Sequence, residues 1–383
     1  MTEKSSVLYS EYIIDGVPRS LTPARMLEEC SLTPSCHAPE RKPEPVVDET
    51  LDLAPSTYKF DPSRIDAYLE KTFALADGKR LCPIHFAGSH TCGRVARALL
   101  DALWMTGRFR LGDLTLRAEW RWDGRPIGNM AAFYDSVEAA AGYIDALGLR
   151  LKNYTISKGP CQVGFKAGTT AEEEFSAEGE EEEGFFRELP FRTEHPRIGR
   201  KRRCPGALLP EPSDWLIYIP FDPCDFRLGG SLLSEAEDAR SALAPDIADA
   251  DYFIDCYEVI RELVEDGVVK AGATVCDGGL LTALKGMTGP GAGADISVSD
   301  ITKAYGEMPV RVLFSEVPGV ILQIADIDYD YLDAELLLQD VAYFPLGHPT
   351  ASGGAIRVAY EEKSGISSIL ESLLYTQTSE GED

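Results

Sequence analysis

Two short strings gather the residue types that could do chemistry at close spacing: Phe226-Arg-Leu-Gly-Gly-Ser231 and Cys276-Asp-Gly-Gly-Leu280. Paired glycines let the backbone approach another group closely, and amides at the start of a helix can cradle a phosphate. The first string follows the strand-like Trp215-Leu-Ile-Tyr-Ile-Pro220 and leads into the helix-like SLLSEAEDAR, the order such a cradle requires. The second adds Asp277, a carboxylate that could hold Mg2+ on a phosphate or could cap the helix after it. Leu228, Gly229, Gly230, Ser231, Asp277, Gly278 and Gly279 are therefore the candidate nucleotide-binding residues, and Asp277 is the candidate metal ligand. The same letters also spell an ordinary turn followed by a serine N-cap, and both readings stay open here. No residue is singled out as catalytic.

The elements that must position these strings are of mixed type. Asp61 and Pro62 start a helix carrying Ile65, Leu69 and Phe73 on one face. Residues 113–121, DLTLRAEWR, alternate as a half-buried strand, and Asn129 to Leu147 repeat apolar residues at helical spacing, with a further strand-like stretch to Phe165. Trp215–Pro220 reads as a buried strand, Tyr252 to Leu263 as an amphipathic helix, and Val312 to Ile324 as two strands broken at Pro318-Gly319. Residues 1–57 read as a flexible arm and linker, because 33–57 hold five prolines among charged residues. Two units follow, 58–210 and 211–358, and 359–383 form a polar tail. Inside the first unit the run 171–184, with eight glutamates in fourteen residues, reads as a solvated loop. The basic residues after it, Arg192 to Arg203, fit either a phosphate or nuclear-targeting patch or, more simply, a solvated edge offset by the acidic run.

Composition excludes several classes. The net charge of −26 repels nucleic-acid phosphates and anionic lipid, so neither is expected as a partner. No run approaches the ~18 apolar residues of a membrane span. Nine cysteines without a C-x-x-C pair point to reduced thiols in a cytoplasmic setting. Cys30, Cys36 and His37 lie close together but lack a second ligand pair at finger-like spacing, and they read as loop residues.

The order of the motifs carries a family resemblance. Leu114-Thr-Leu-Arg-Ala-Glu-Trp120, Tyr134-Asp-Ser-Val-Glu138, Ala146-Leu-Gly-Leu149, Leu228-Gly-Gly-Ser231, Cys276-Asp-Gly-Gly-Leu280, Val312-Leu-Phe-Ser-Glu316 and Leu346-Gly-His-Pro349 succeed one another. This succession, over about residues 80–375, resembles the second synthetase half of the large phosphoribosylformylglycinamidine synthases, in the aminoimidazole ribonucleotide synthetase superfamily. The resemblance implies an α+β fold of two units, an open sheet that pairs into a barrel plus a C-terminal α/β sandwich. It also implies purine biosynthesis by ATP-dependent amidine formation from formylglycinamide ribonucleotide, with Mg and ATP or ADP as cofactors. Its implied partners are a second copy or a similar synthetase half, and a separate glutaminase.

Departures are concentrated where the family does chemistry. After Leu149 the family has Gly-Lys-Asp-Ser, and this chain has LKNYTISKGPCQ. The family's His-Asp-x-Ser-Asp-Gly-Gly becomes Ala273-Thr-Val-Cys-Asp-Gly-Gly279, and its Gly-Glu-x-x-Thr-Asn becomes Ala87-Gly-Ser-His-Thr-Cys-Gly93. Losing these carboxylates and the lysine together implies an alternative, a catalytically inactive paralogue acting as a nucleotide-binding or scaffold module.

Overall fold

The computed structural model describes residues 6–32, 64–76, 80–169, 198–199, 201–237, 243–351 and 353–359. The acidic run 171–184, the proline-rich 33–57 and the tail beyond 359 lie outside them.

Residues 6–32 hold α1 (Ser6–Tyr9), a two-residue hairpin β1 (Ile13–Ile14) and β2 (Val17–Pro18), and α2 (Pro23–Leu32). This part of the expected arm is packed, not loose. Met26, Leu27 and Cys30 face inward at helical spacing, and the Cys30 thiol donates to the Ala141 carbonyl at 3.2 Å. The prolines from residue 34 onward had lent their loop character to a short amphipathic helix beside them.

Next come α3 (Ile65–Ala76), α4 (Ala87–Leu103), β3 (Leu114–Trp122), α5 (Asn129–Ala146), β4 (Arg150–Lys158) and β5 (Gln162–Thr169). The three strands form one sheet in the order β4-β3-β5, with β3 parallel to β4 and antiparallel to β5. Strand β3 alternates as read from its sequence. Leu114, Leu116, Ala118, Trp120 and Trp122 are buried, and Arg117, Glu119 and Arg121 point the other way and are partly exposed. The covered face packs against α4 and α5.

The second half holds β6 (Trp215–Pro220), α6 (Leu232–Ala236), α7 (Ala250–Glu265), β7 (Val269–Val275), α8 (Gly279–Met287), β8 (Gly293–Ser297), α9 (Ser299–Tyr305), α10 (Pro309–Phe314), β9 (Gly319–Ile324), α11 (Tyr329–Leu338), β10 (Phe344–Thr350) and β11 (Ile356–Ala359). Its strands make a six-stranded mixed sheet, β11-β8-β10-β6-β9-β7. The architecture is α+β, as expected.

Strand β6 is apolar throughout because the sheet is buried on both faces here. Ile217 and Ile219 join the core shared with α4, α5 and α7, while Leu216 and Tyr218 join a second core with α8 and α10. The expectation of two strands across 312–324 is half corrected. Pro309 opens α10 at its first turn, and Val310, Leu313 and Phe314 are buried at helical spacing, so only the residues after Pro318 form a strand. The β-branched Val310 and Val312 had given the helix a strand-like look.

Helix α4 joins the halves. It packs on α5 and β5 on one side and on α7 and β7 on the other. Trp104 at its C-terminal end is fully buried, and its indole donates to Thr274 on β7 at 2.9 Å. Ring atoms of Trp104 lie so near Gly272 that a Cβ there would sit 2.3 Å from one of them, so only glycine fits. Arg202, at the end of the basic stretch, donates to the Gly272 carbonyl at 2.7 Å and lies over the Trp104 ring. It braces this joint from an exposed position, beside the exposed Lys201 and Arg203.

Candidate functional site

The two glycine strings, 47 residues apart in sequence between Gly230 and Asp277, do meet in space. They line one cavity with Pro83, Ser89, His90, Gly93, Arg94 and Glu316. Each turn is built as the spacing suggested. Gly230 has φ +70° and Gly278 and Gly279 have φ +76° and +73°, a region that favours glycine. Ser231 caps α6, its hydroxyl accepting from the Ser234 amide at 3.2 Å. Leu228 is buried, and its carbonyl accepts from Ser231 and Ser234.

What the glycines approach, however, is the chain itself. A Cβ on Gly229 would lie 2.2 Å from the Leu243 carbonyl oxygen, and one on Gly279 would lie 2.6 Å from the backbone of Phe314. One amide at each helix start is also taken. One oxygen of Glu316 accepts from the Leu232 amide at 2.8 Å and from the Gly278 amide at 2.9 Å. A carboxylate of this chain thus sits where the sequence suggested a phosphate.

Asp277 is likewise engaged from within. Its Oδ1 accepts from Arg80 at 2.7 Å, and its Oδ2 accepts from Arg94 at 2.7 Å and also from Arg97. Arg80 reaches the second oxygen of Glu316 at 2.6 Å and the Gly230 carbonyl. The Arg80 and Asp277 side chains are only 3% and 7% exposed, so the pair is screened from water and interacts strongly. Burial works against ionising Asp277, but Arg94, Arg97 and Arg80 outweigh it and hold its carboxyl well below the usual range. Burial pushes Glu316 upward against the pull of Arg80. His90 accepts from Arg94 at 3.3 Å, which requires the neutral ring, and burial with Arg94 and Arg80 nearby keeps its pKa well below 6.5. Cys276 is pushed up to about 12 by burial, with Asp277 adding to the shift, so its thiol is not an ionised nucleophile.

The residues present do not fit Mg2+. Both oxygens of Asp277 are bound by guanidinium groups, and no group of three His, Cys, Asp or Glu side chains among the described residues could hold a metal ion. The cavity measures about 20 Å3, room for one water. As it stands, the arrangement is a neutralised ion cluster that ties α4, α8 and the Gly-Gly turn together.

Sequence reading missed Arg80, Arg94, Arg97 and the role of Glu316. Helical spacing was the available signal for two of them, since His90, Arg94, Arg97 and Asp101 recur along one face of α4.

No family model matches the chain. It is 25% identical over 221 residues to the phosphoribosylformylglycinamidine synthase of Homo sapiens, which covers 57% of this chain and 15% of the human protein. Over 138 residues it is 28% identical to a probable phosphoribosylformylglycinamidine synthase, chloroplastic/mitochondrial, of Arabidopsis thaliana, covering 36% of this chain and 10% of the plant protein. In structure it is similar to T. maritima PurL complexed with FGAR, with a TM-score of 0.50 and 12% identity over 73% of this chain and 42% of that one. The chain thus matches only a fraction of the length of these relatives, and the structural likeness is one of fold. The resemblance read from the motifs is present in both sequence and fold.

Proposed function

We propose that this relative of the phosphoribosylformylglycinamidine synthases is a synthetase-like half that keeps the packing of that fold without its phosphoryl chemistry. It serves as a structural unit in purine biosynthesis, where its relatives' name assigns formylglycinamidine ribonucleotide formation. The observation that carries this reading is the closure of Asp277 by the guanidinium groups of Arg80, Arg94 and Arg97, beside a Glu316 carboxylate bound to the amides of Leu232 and Gly278. A phosphate entering there must displace an internal anion, and a metal must displace three guanidinium groups from Asp277.

In the family ATP activates an amide oxygen and ammonia displaces phosphate. That step needs carboxylates free for metal and a cation on the polyphosphate. Here Arg80, Arg94 and Arg97 spend their charge on Asp277 and Glu316, and His90 is held neutral as an acceptor. These residues hold two helix starts in register; none is free to move a proton or hold a leaving group. The β4-β3-β5 sheet would pair with a second copy or a similar synthetase half, and activity in an assembly would come from the similar half, with ammonia from a separate glutaminase.

Supplying ammonia in place of glutamine isolates the synthetase step. The purified chain is expected to release no phosphate from ATP that depends on formylglycinamide ribonucleotide, and substrate-dependent release would overturn the reading. A second measurement addresses the ATP or ADP that the family implies. Millimolar Mg-ATP or Mg-ADP is expected to leave the melting temperature unchanged, and a saturable rise would restore Leu228–Ser231 and Asp277–Gly279 as nucleotide contacts.

A further inference from the structure

The charge count around Asp277 points to one particular kind of ligand. Three carboxylates, Asp101, Asp277 and Glu316, are linked to three guanidinium groups, Arg80, Arg94 and Arg97, and the cluster is balanced. Arg94 and Arg97 come from α4 itself. Arg80 comes from the segment ahead of α4 and fills a place enclosed by three oxygens: Asp277 Oδ1, Glu316 Oε2 and the Gly230 carbonyl. Without Arg80 those three acceptors keep no other donor described for them, and the cluster carries one net negative charge.

We propose that the oxygens of Asp277, Glu316 and Gly230 form a subsite for a planar monocation, and that the Arg80 guanidinium is its built-in ligand. This inference rests on the reading that the cluster is closed from within, and it adds which ligand class the closed site accepts. Planarity matters because one terminal nitrogen of Arg80 serves both carboxylates at 2.7 and 2.6 Å while the other serves the carbonyl. Single charge matters because a divalent ion would overshoot the balance and face Arg94 and Arg97 across Asp277. The buried Arg80 Nε has no hydrogen-bond partner, so the recognition lies wholly in the two terminal nitrogens. A free guanidinium ion presents the same pair of nitrogens.

The test is chemical rescue. Arg80→Ala is expected to lower the melting temperature, and about 10 mM guanidinium or methylguanidinium to restore roughly half of the loss by mass action. Tetramethylammonium at equal ionic strength is expected to restore none, and Mn2+ followed by electron paramagnetic resonance to show no saturable binding. Equal effects of guanidinium on wild type and variant would overturn the proposal, as would Mn2+ binding to the variant. Arg80→Lys keeps the charge and loses the fork, so should Arg80→Ala fail to fold, this variant decides. It is expected to melt below wild type, and wild-type melting would sink the planar requirement. A melting shift of the wild-type chain with Mg-ATP bears on the proposed function alone, because rescue is read only in the variants.

Discussion

The Arg80–Asp277–Glu316 cluster and the outer face of the β4-β3-β5 sheet are two places where the family resemblance implies a visitor, and the chain treats them oppositely. At the cluster every implied ligand has an internal substitute, a carboxylate for the phosphate and guanidinium groups for the metal. On the sheet nothing within the described residues replaces the implied partner. Its outer face carries Arg117, Glu119, Arg121, Thr155 and Lys166, which suit water, and its edges are β4 and β5. The difference teaches that a binding feature can be kept as packing once its ligand is built in, whereas a surface stays available to a partner.

The largest effect that would break this comparison is expected from Asp277→Ala. It leaves Arg94 with no carboxylate partner among the described residues, and Arg80 and Arg97 with Glu316 and Asp101 alone, and a stability loss of about 3–5 kcal/mol is expected from urea unfolding. A loss near zero would mean the cluster is not holding the turns. Glu316→Gln keeps the shape and an oxygen for the Leu232 and Gly278 amides but removes the charge facing Arg80. The expected cost is about 1–3 kcal/mol by the same measurement.

His90 sharpens the comparison through pH. Its folded pKa lies below the unfolded value of 6.5, so the unfolded chain takes up the proton first and stability falls as pH drops below about 6.5. The slope approaches at most about 1.4 kcal/mol per pH unit. Melting temperatures of wild type and His90→Gln between pH 7 and 5 should diverge, with the variant the flatter. The smallest effect belongs to the sheet. Lys166→Glu, at the exposed position of β5, is expected to change stability by no more than about 0.5 kcal/mol. If sedimentation of the same variant differs from wild type, a second copy occupies that face.

Much of the frame was legible because periodicity is local. Strand β3, helices α5 and α7 and strand β6 follow from alternation or helical spacing within a few residues. Both turns of the site were legible too, since glycine at positive φ leaves a direct mark in sequence. Their partners were not. Nothing in the letters around Asp277 tells that Arg80 will reach it, and Arg94 and Arg97 follow Ala87-Gly-Ser-His-Thr-Cys-Gly93, a stretch read only as a departure from the family's Gly-Glu-x-x-Thr-Asn. Helix α10 was lost for the opposite reason, because its valines favour strands where packing does not decide otherwise.

Arg80 lies 150 residues from Gly230, 197 from Asp277 and 236 from Glu316 along the chain. Contacts of such long span cannot reward the chain until both halves have largely formed, so the cluster closes late in folding. Its contribution then falls on the rate of unfolding, not on the rate of folding. The three hydrogen bonds of one arginine act as a catch that engages once the halves have met and slows their parting.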